Sequence, residues 1–272
     1  MQEQQPSYPP DADRFGVLIA SVLLTYALTR LVQTPRFILE IDLRGFYFAY
    51  PITLSTAMTL LAAGLTATGM DWLIRSHPSL GEKRPVEHLI LPTLTTFIIG
   101  VPLAVLPDGA AWWIGFGVSA SILAAVFWAE YVSVDPSAPY YAFARAGLTS
   151  LSYALFLILV TGLRFSVIRM FLLIPAVFIT AGVISLRILH LDGTNRWDFP
   201  WAIGIGLICA QISAGLHYWP LSPVQFGLAL TGPLYALSML SMSLTENVPL
   251  RRAMVGPGVI IGIAWSAAIF VR

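Results

Sequence analysis

The chain has 272 residues, of which 57% are hydrophobic and 11% charged, with 15 Lys+Arg against 14 Asp+Glu for a formal net charge of +1. A soluble domain carries roughly 25% charged residues, so the composition points to a membrane, and basic residues this sparse argue against nucleic acid, whose binding rests on many Lys/Arg groups at phosphates. One cysteine, Cys209, excludes intramolecular disulfides, Cys-coordinated zinc, iron–sulfur clusters and haem attached through paired cysteines.

Residues 1–13, rich in Gln and Pro, read as a short disordered tail. A helix that crosses hydrocarbon needs about 20 mostly apolar residues, because lipid offers its backbone no hydrogen-bonding partner. Stretches free of Asp, Glu, Lys and Arg mark such spans. The first, Phe15 to Thr29, is short, but Arg30 can snorkel and extend it to Val32. It could imitate a signal-peptide core, yet Glu3, Asp11 and Asp13 precede it and no small-residue cleavage pattern follows, so a retained first helix is expected. Ile38 to Arg44 alternates apolar and charged residues, which suits a strand or an interfacial segment. Gly45 to Met70 then reads as the second span, with Pro51 inside it. Leu89 to Pro107, Gly109 to Ala129, Ala146 to Leu163 and Met170 to Leu186 follow. The next charge-free stretch, Phe199 to Thr245, is too long for one crossing, and His217-Tyr218-Trp219-Pro220-Leu221-Ser222-Pro223 divides it at an interfacial turn. Ala253 to Val271 completes an all-α, polytopic transmembrane bundle of about nine spans.

Trp and Tyr gather where membrane meets water. Trp201 and Trp219 stand 18 residues apart, about 27 Å along a helix, which matches the hydrocarbon thickness. Trp112 and Trp113 against Trp128 and Tyr131 measure the fourth span likewise, whereas Trp265 falls inside its span. Nine spans place Arg14, Arg75, Lys83, Arg84, Arg145, Arg187, Arg196, Arg251 and Arg252 on the N-terminal side. Arg30, Arg36, Arg44, Arg164, Arg169 and Arg272 fall on the other. This bias of nine to six predicts a cytoplasmic N-terminus in the plasma membrane.

Spans one to four and five to eight share a rhythm. Arg14 and Gly16 with Ser21 match Arg145 and Gly147 with Ser152; Pro51 matches Pro175; Glu130 and Glu246 end the fourth and eighth spans. The expected organisation is a parallel duplication, with residues 14–132 as the first four-helix repeat, 133–246 as the second, and 247–272 as an additional helix.

Ionisable groups deep in a membrane are costly and usually functional. Every Asp and Glu falls in a tail, a loop or at a span end, which argues against an ordinary proton- or sodium-coupled carrier. The only lysine, Lys83, lies in a loop and follows no phosphate-binding glycine pattern, so neither a retinal Schiff base nor a P-loop is present. No Gly-x-Ser-x-Gly and no His-Glu-x-x-His occurs. His77, His88 and His190 fall on the cytoplasmic side with carboxylates that include Glu130, Asp135 and Asp192, and His88, His190, Asp192 and Glu130 form a candidate polar cluster there, where imidazole and carboxylate together could serve acid–base chemistry. Their spacing fits no metal-binding pattern, so no metal and no cofactor is expected. Gln211, with Ser213 beside it and Tyr153 at comparable depth, offers candidate substrate-lining groups near the midplane. In-helix serines such as Ser119 and Ser241 are read as packing groups that bond across helices.

The leading functional reading is a non-catalytic structural or accessory subunit of a membrane assembly, with enzymatic activity not expected. Its partners would be membrane lipids, other membrane proteins or further copies of the chain. The alternative is a carrier or binder of a lipid-like apolar substrate, and after it a lipid-modifying enzyme.

Overall fold

The structure, a computed structural model, describes residues 9–31, 37–43, 46–81, 85–166, 169–191 and 197–270. Its elements are α1 Ala12–Leu31, β1 Phe37–Leu43, β2 Phe46–Ile52, α2 Leu54–Ile74, a 3-10 turn Pro78–Leu80, α3 Glu87–Val105, α4 Ala110–Val132, α5 Tyr141–Phe165, α6 Met170–Leu189, α7 Phe199–His217, α8 Pro223–Thr245, the short α9 Leu250–Ala253 and α10 Val255–Phe270. Among the described residues nine helical stretches are long and apolar enough to cross a membrane, α9 and α10 together forming the last. The protein is a helical, multi-pass membrane bundle. Residues 1–8 of the expected tail lie outside the described residues, as do Lys83, Arg84, Asp192 and Arg196.

One span boundary is corrected. The charge-free stretch from Gly45 is not helical at its start: residues 46–52 form β2, which pairs antiparallel with β1 in the register Phe37↔Ile52 to Leu43↔Phe46. The expected strand at Ile38 therefore has a partner. Phe46-Tyr-Phe-Ala-Tyr-Pro-Ile52 is rich in aromatics, which favour a pleated strand. Pro51 sits in that strand and not within α2, so its correspondence with Pro175, which is inside α6, is lost. Thr53 then caps α2 by accepting the Thr56 amide at 3.3 Å.

The chain divides into two compact units, Met1–Arg145 and Ala146–Arg272. In the first, α1 buries Leu18, Val22 and Tyr26, and α2 buries Ala62, Thr66 and Met70, each set at intervals of four that keep it on one helix face. The Tyr26 hydroxyl donates to the Thr96 carbonyl, and Thr66 and Thr96 join their hydroxyls at 2.9 Å. Hydroxyls here bond across helices, as lipid-embedded packing favours. Trp112 is buried and stacks on Phe116 at 5.0 Å, while Trp113 beside it faces outward. Only one of that pair can stand at the lipid boundary.

In the second unit α6 and α7 meet backbone to backbone. A Cβ on Gly206 would fall 2.8 Å from the Phe178 carbonyl oxygen and 3.3 Å from the Gly182 nitrogen, so a larger residue would force the helices apart. The pair α8 and α10 is equally close, with Gly232 facing the Ala264 methyl. Pro233, buried within α8, has no N–H, so the carbonyl of Ala229 four residues earlier loses its helical donor. The Trp265 indole of α10 donates to that carbonyl at 3.1 Å. Trp265 stands inside its span because it replaces the bond that Pro233 removes.

Candidate functional site

Residues 106–109 connect α3 and α4 by a short turn, so the first residue of α3 and the last residues of α4 must return to the same end of the first unit. There His88 and Glu130 meet, Nδ1 to Oε2, at 2.9 Å. Both are buried, Glu130 completely. The Ser133 hydroxyl lies 2.9 Å from the Glu130 main-chain oxygen, 3.2 Å from His88 Nδ1 and 3.3 Å from Glu130 Oε2. A hydroxyl has one hydrogen. The shortest contact assigns it to the main-chain oxygen, which leaves the His88 Nδ1 hydrogen for the carboxylate. Across the ring, Nε2 faces Glu87 at 4.0 Å.

A second layer lies beside this pair. His77, also buried, is the N-cap of the 3-10 turn, its Nδ1 accepting the Ser79 amide at 3.2 Å, and its ring meets the Tyr131 ring edge-on at 4.7 Å. Ser79 donates to Asp135 at 3.3 Å. Asp135 also accepts the Ser137 hydroxyl and amide, at 2.6 and 2.9 Å, and these bonds hold its carboxyl below the ordinary carboxylate range. The site thus joins three connections, around 77–79, 87–88 and 130–137, into one hydrogen-bonded layer. The layer acts as a clasp that sets the register of α3 on α4.

Burial pushes the His77 imidazole below its usual pKa; nearby His88 adds to this and Asp135 opposes it more weakly than burial acts. The unfolded chain therefore binds a proton first as pH falls below about 6.5. This contribution to stability is complete above that value and declines as pH drops towards the lowered folded pKa. Melting of the wild type in detergent should fall from pH 7.5 to pH 5 more steeply than that of His77→Asn, which keeps a cap acceptor without the titration. Equal slopes would assign the dependence elsewhere.

The structure thus joins two of the four residues expected at the interface. His190 belongs to the second unit, at the C-cap of α6, with its ring 5.1 Å from Trp197; Asp192 lies outside the described residues. His77 and Asp135, expected on the same membrane side, lie in the layer, whereas Tyr131 and Ser133 were not foreseen as part of it. The only local signal was Ser133 three residues after Glu130, one helical turn on. Arg187, charged and buried at the end of α6, was also not singled out. No group of three or more His, Cys, Asp or Glu suited to a metal ion occurs among the described residues.

The midplane candidates separate. Ser213 is buried in α7, Gln211 two residues earlier is exposed on another face, and Tyr153 packs on Tyr235 with ring centroids 4.9 Å apart. Residues 33–271 match the family model described as Protein of unknown function (DUF5656). No curated protein and no solved structure matches the chain.

Proposed function

We propose that this chain, which belongs to the DUF5656 family, is a non-catalytic accessory subunit of a membrane assembly that docks a partner's transmembrane helix on α7. One observation carries the reading: Gln211 is exposed on a membrane-crossing helix, about 9 Å along the axis from its end at His217, and makes no hydrogen bond among the described residues. An unpaired amide facing hydrocarbon costs a few kcal/mol. Gly204, Ile208, Gln211 and Gly215 are three or four residues apart and so share a face, and a Cβ on either glycine would meet open space. Small residues that admit a second backbone, beside an amide that offers both a donor and an acceptor, suit a helix bearing a hydrogen-bonding side chain at the same depth. The charge bias of the connections supports a cytoplasmic N-terminus for this subunit.

The test is purification in a mild detergent with mass spectrometry of whatever accompanies the protein, for the wild type and Gln211→Leu. Leucine satisfies lipid and touches nothing in the chain's own core, so folding should persist while the stoichiometric partner falls by about tenfold, as expected for losing a bond of about 1.4 kcal/mol. Retention of the partner by Gln211→Leu would overturn the assignment of this face. A second copy of the chain as the retained species would make the assembly a homo-oligomer.

A further inference from the structure

The second unit holds a cavity of about 450 Å³ among the ends of four helices. The C-terminal ends of α5 and α7 and the N-terminal ends of α6 and α8 converge on it. Its wall carries Arg164, Arg169 and His217 together with the apolar Leu163, Leu173 and Leu221. We infer that this cavity binds a phosphate-bearing anion, with its charge against Arg164 and Arg169 and any apolar remainder against the leucines.

Arg164 is already in place for this. One guanidinium nitrogen donates to the His217 carbonyl at 3.1 Å and stands 3.4 Å from His217 Nδ1, the other donates to the Trp219 carbonyl at 3.3 Å, and the plane lies over the Phe226 ring at 5.2 Å. Those acceptors are neutral. They fix the guanidinium and leave its positive charge without a counter-ion among the described residues. Holding a flexible cation ahead of binding lowers the entropy an incoming anion must otherwise overcome.

Arg169 is the N-cap residue of α6. Its side chain is exposed and makes no ion pair or hydrogen bond among the described residues. The first turn of α6 contains no acidic residue, so no carboxylate there neutralises Arg169. At α8 the Ser222 and Gln225 capping box is neutral, and the first turn holds no acidic residue. The C-terminal ends of α5 and α7 offset the starts of α6 and α8, so the positive charge of the cavity rests on the two arginines, with no carboxylate in its lining. Arginine forks match phosphate oxygens in pairs. Since these helices cross the membrane, their ends lie at headgroup depth, within reach of an anionic lipid headgroup. A volume of 450 Å³ lies within the range of small-molecule sites and exceeds what a lone anion needs.

The same chemistry would hold a lipid headgroup or inorganic phosphate, and one experiment separates them. The full chain in a non-ionic detergent is offered dihexanoyl phosphatidic acid or dihexanoyl phosphatidylcholine, with and without inorganic phosphate, and adducts are counted by native mass spectrometry. The wild type should retain one phosphatidic acid and prefer it over phosphatidylcholine by about tenfold or more, the scale of one charge-assisted hydrogen bond. Displacement by inorganic phosphate would support a site for the free anion. Resistance to displacement would support the headgroup. Arg169→Gln should abolish the preference without loss of helicity, because that side chain holds nothing together; Arg164 also ties α5 to the α7–α8 turn and is the poorer probe. Arg251→Gln, outside the cavity, should bind as the wild type does. Equal retention of the two lipids, unchanged binding by Arg169→Gln, or an equal loss in Arg251→Gln would each overturn the assignment.

Discussion

Replacing His88 with Leu should lower the stability of the protein in detergent by about 3–5 kcal/mol, because it leaves the fully buried Glu130 carboxylate without the imidazole that faces it at 2.9 Å. Glu130→Leu should cost less, since it leaves no carboxylate buried. The double variant His88→Leu/Glu130→Leu should recover much of the loss, as a buried hydrogen-bonded pair exchanged for apolar groups of similar shape is often close to neutral. Denaturant unfolding of the four proteins forms a double-mutant cycle. Strongly non-additive losses are expected. Losses that simply sum would show that the two side chains act separately.

The second large effect concerns Trp265. Phenylalanine at that position fills similar space but cannot donate to the Ala229 carbonyl, and an unsatisfied carbonyl in the bundle costs about 1–3 kcal/mol. Pro233→Ala restores a main-chain N–H one turn after Ala229, so the variant Trp265→Phe/Pro233→Ala should regain most of that stability. Thermal melting in detergent micelles measures both. If Pro233→Ala rescues nothing, the contribution of Trp265 is packing and not this bond.

The spans were legible because crossing a bilayer imposes a length and tolerates almost no charge. The same criterion misled at Gly45, where charge-free aromatic residues belong to β2. Absence of charge cannot tell an interfacial hairpin from the start of a helix, and the aromatic composition of the segment was the better guide. His88 and Glu130 were legible as interfacial ionisable groups. Their pairing follows from the short turn at 106–109, which forces the start of α3 beside the end of α4. His190 was grouped with them by chemistry and expected membrane side, neither of which fixes helix neighbours. Gln211 was legible as a polar group at depth, but its direction was not, because total apolarity leaves α7 with no polar stripe to set its rotation. The cavity at Arg164 was hidden for a related reason. It depends on two helix-to-helix connections, after α5 and after α7, that are far apart in the chain, and only tertiary packing brings them together.

The dependence of α8 on α10 also orders events during synthesis. Ala229 is synthesised before its donor at position 265, and the Gly232 surface before the helix that covers it. Until then α8 presents a bare carbonyl and a small-residue groove, features that membrane chaperones and quality-control proteases can engage. A chain terminated before Val255 would display them permanently, so a late stop codon should mark the whole polypeptide for degradation even though most of its spans are intact.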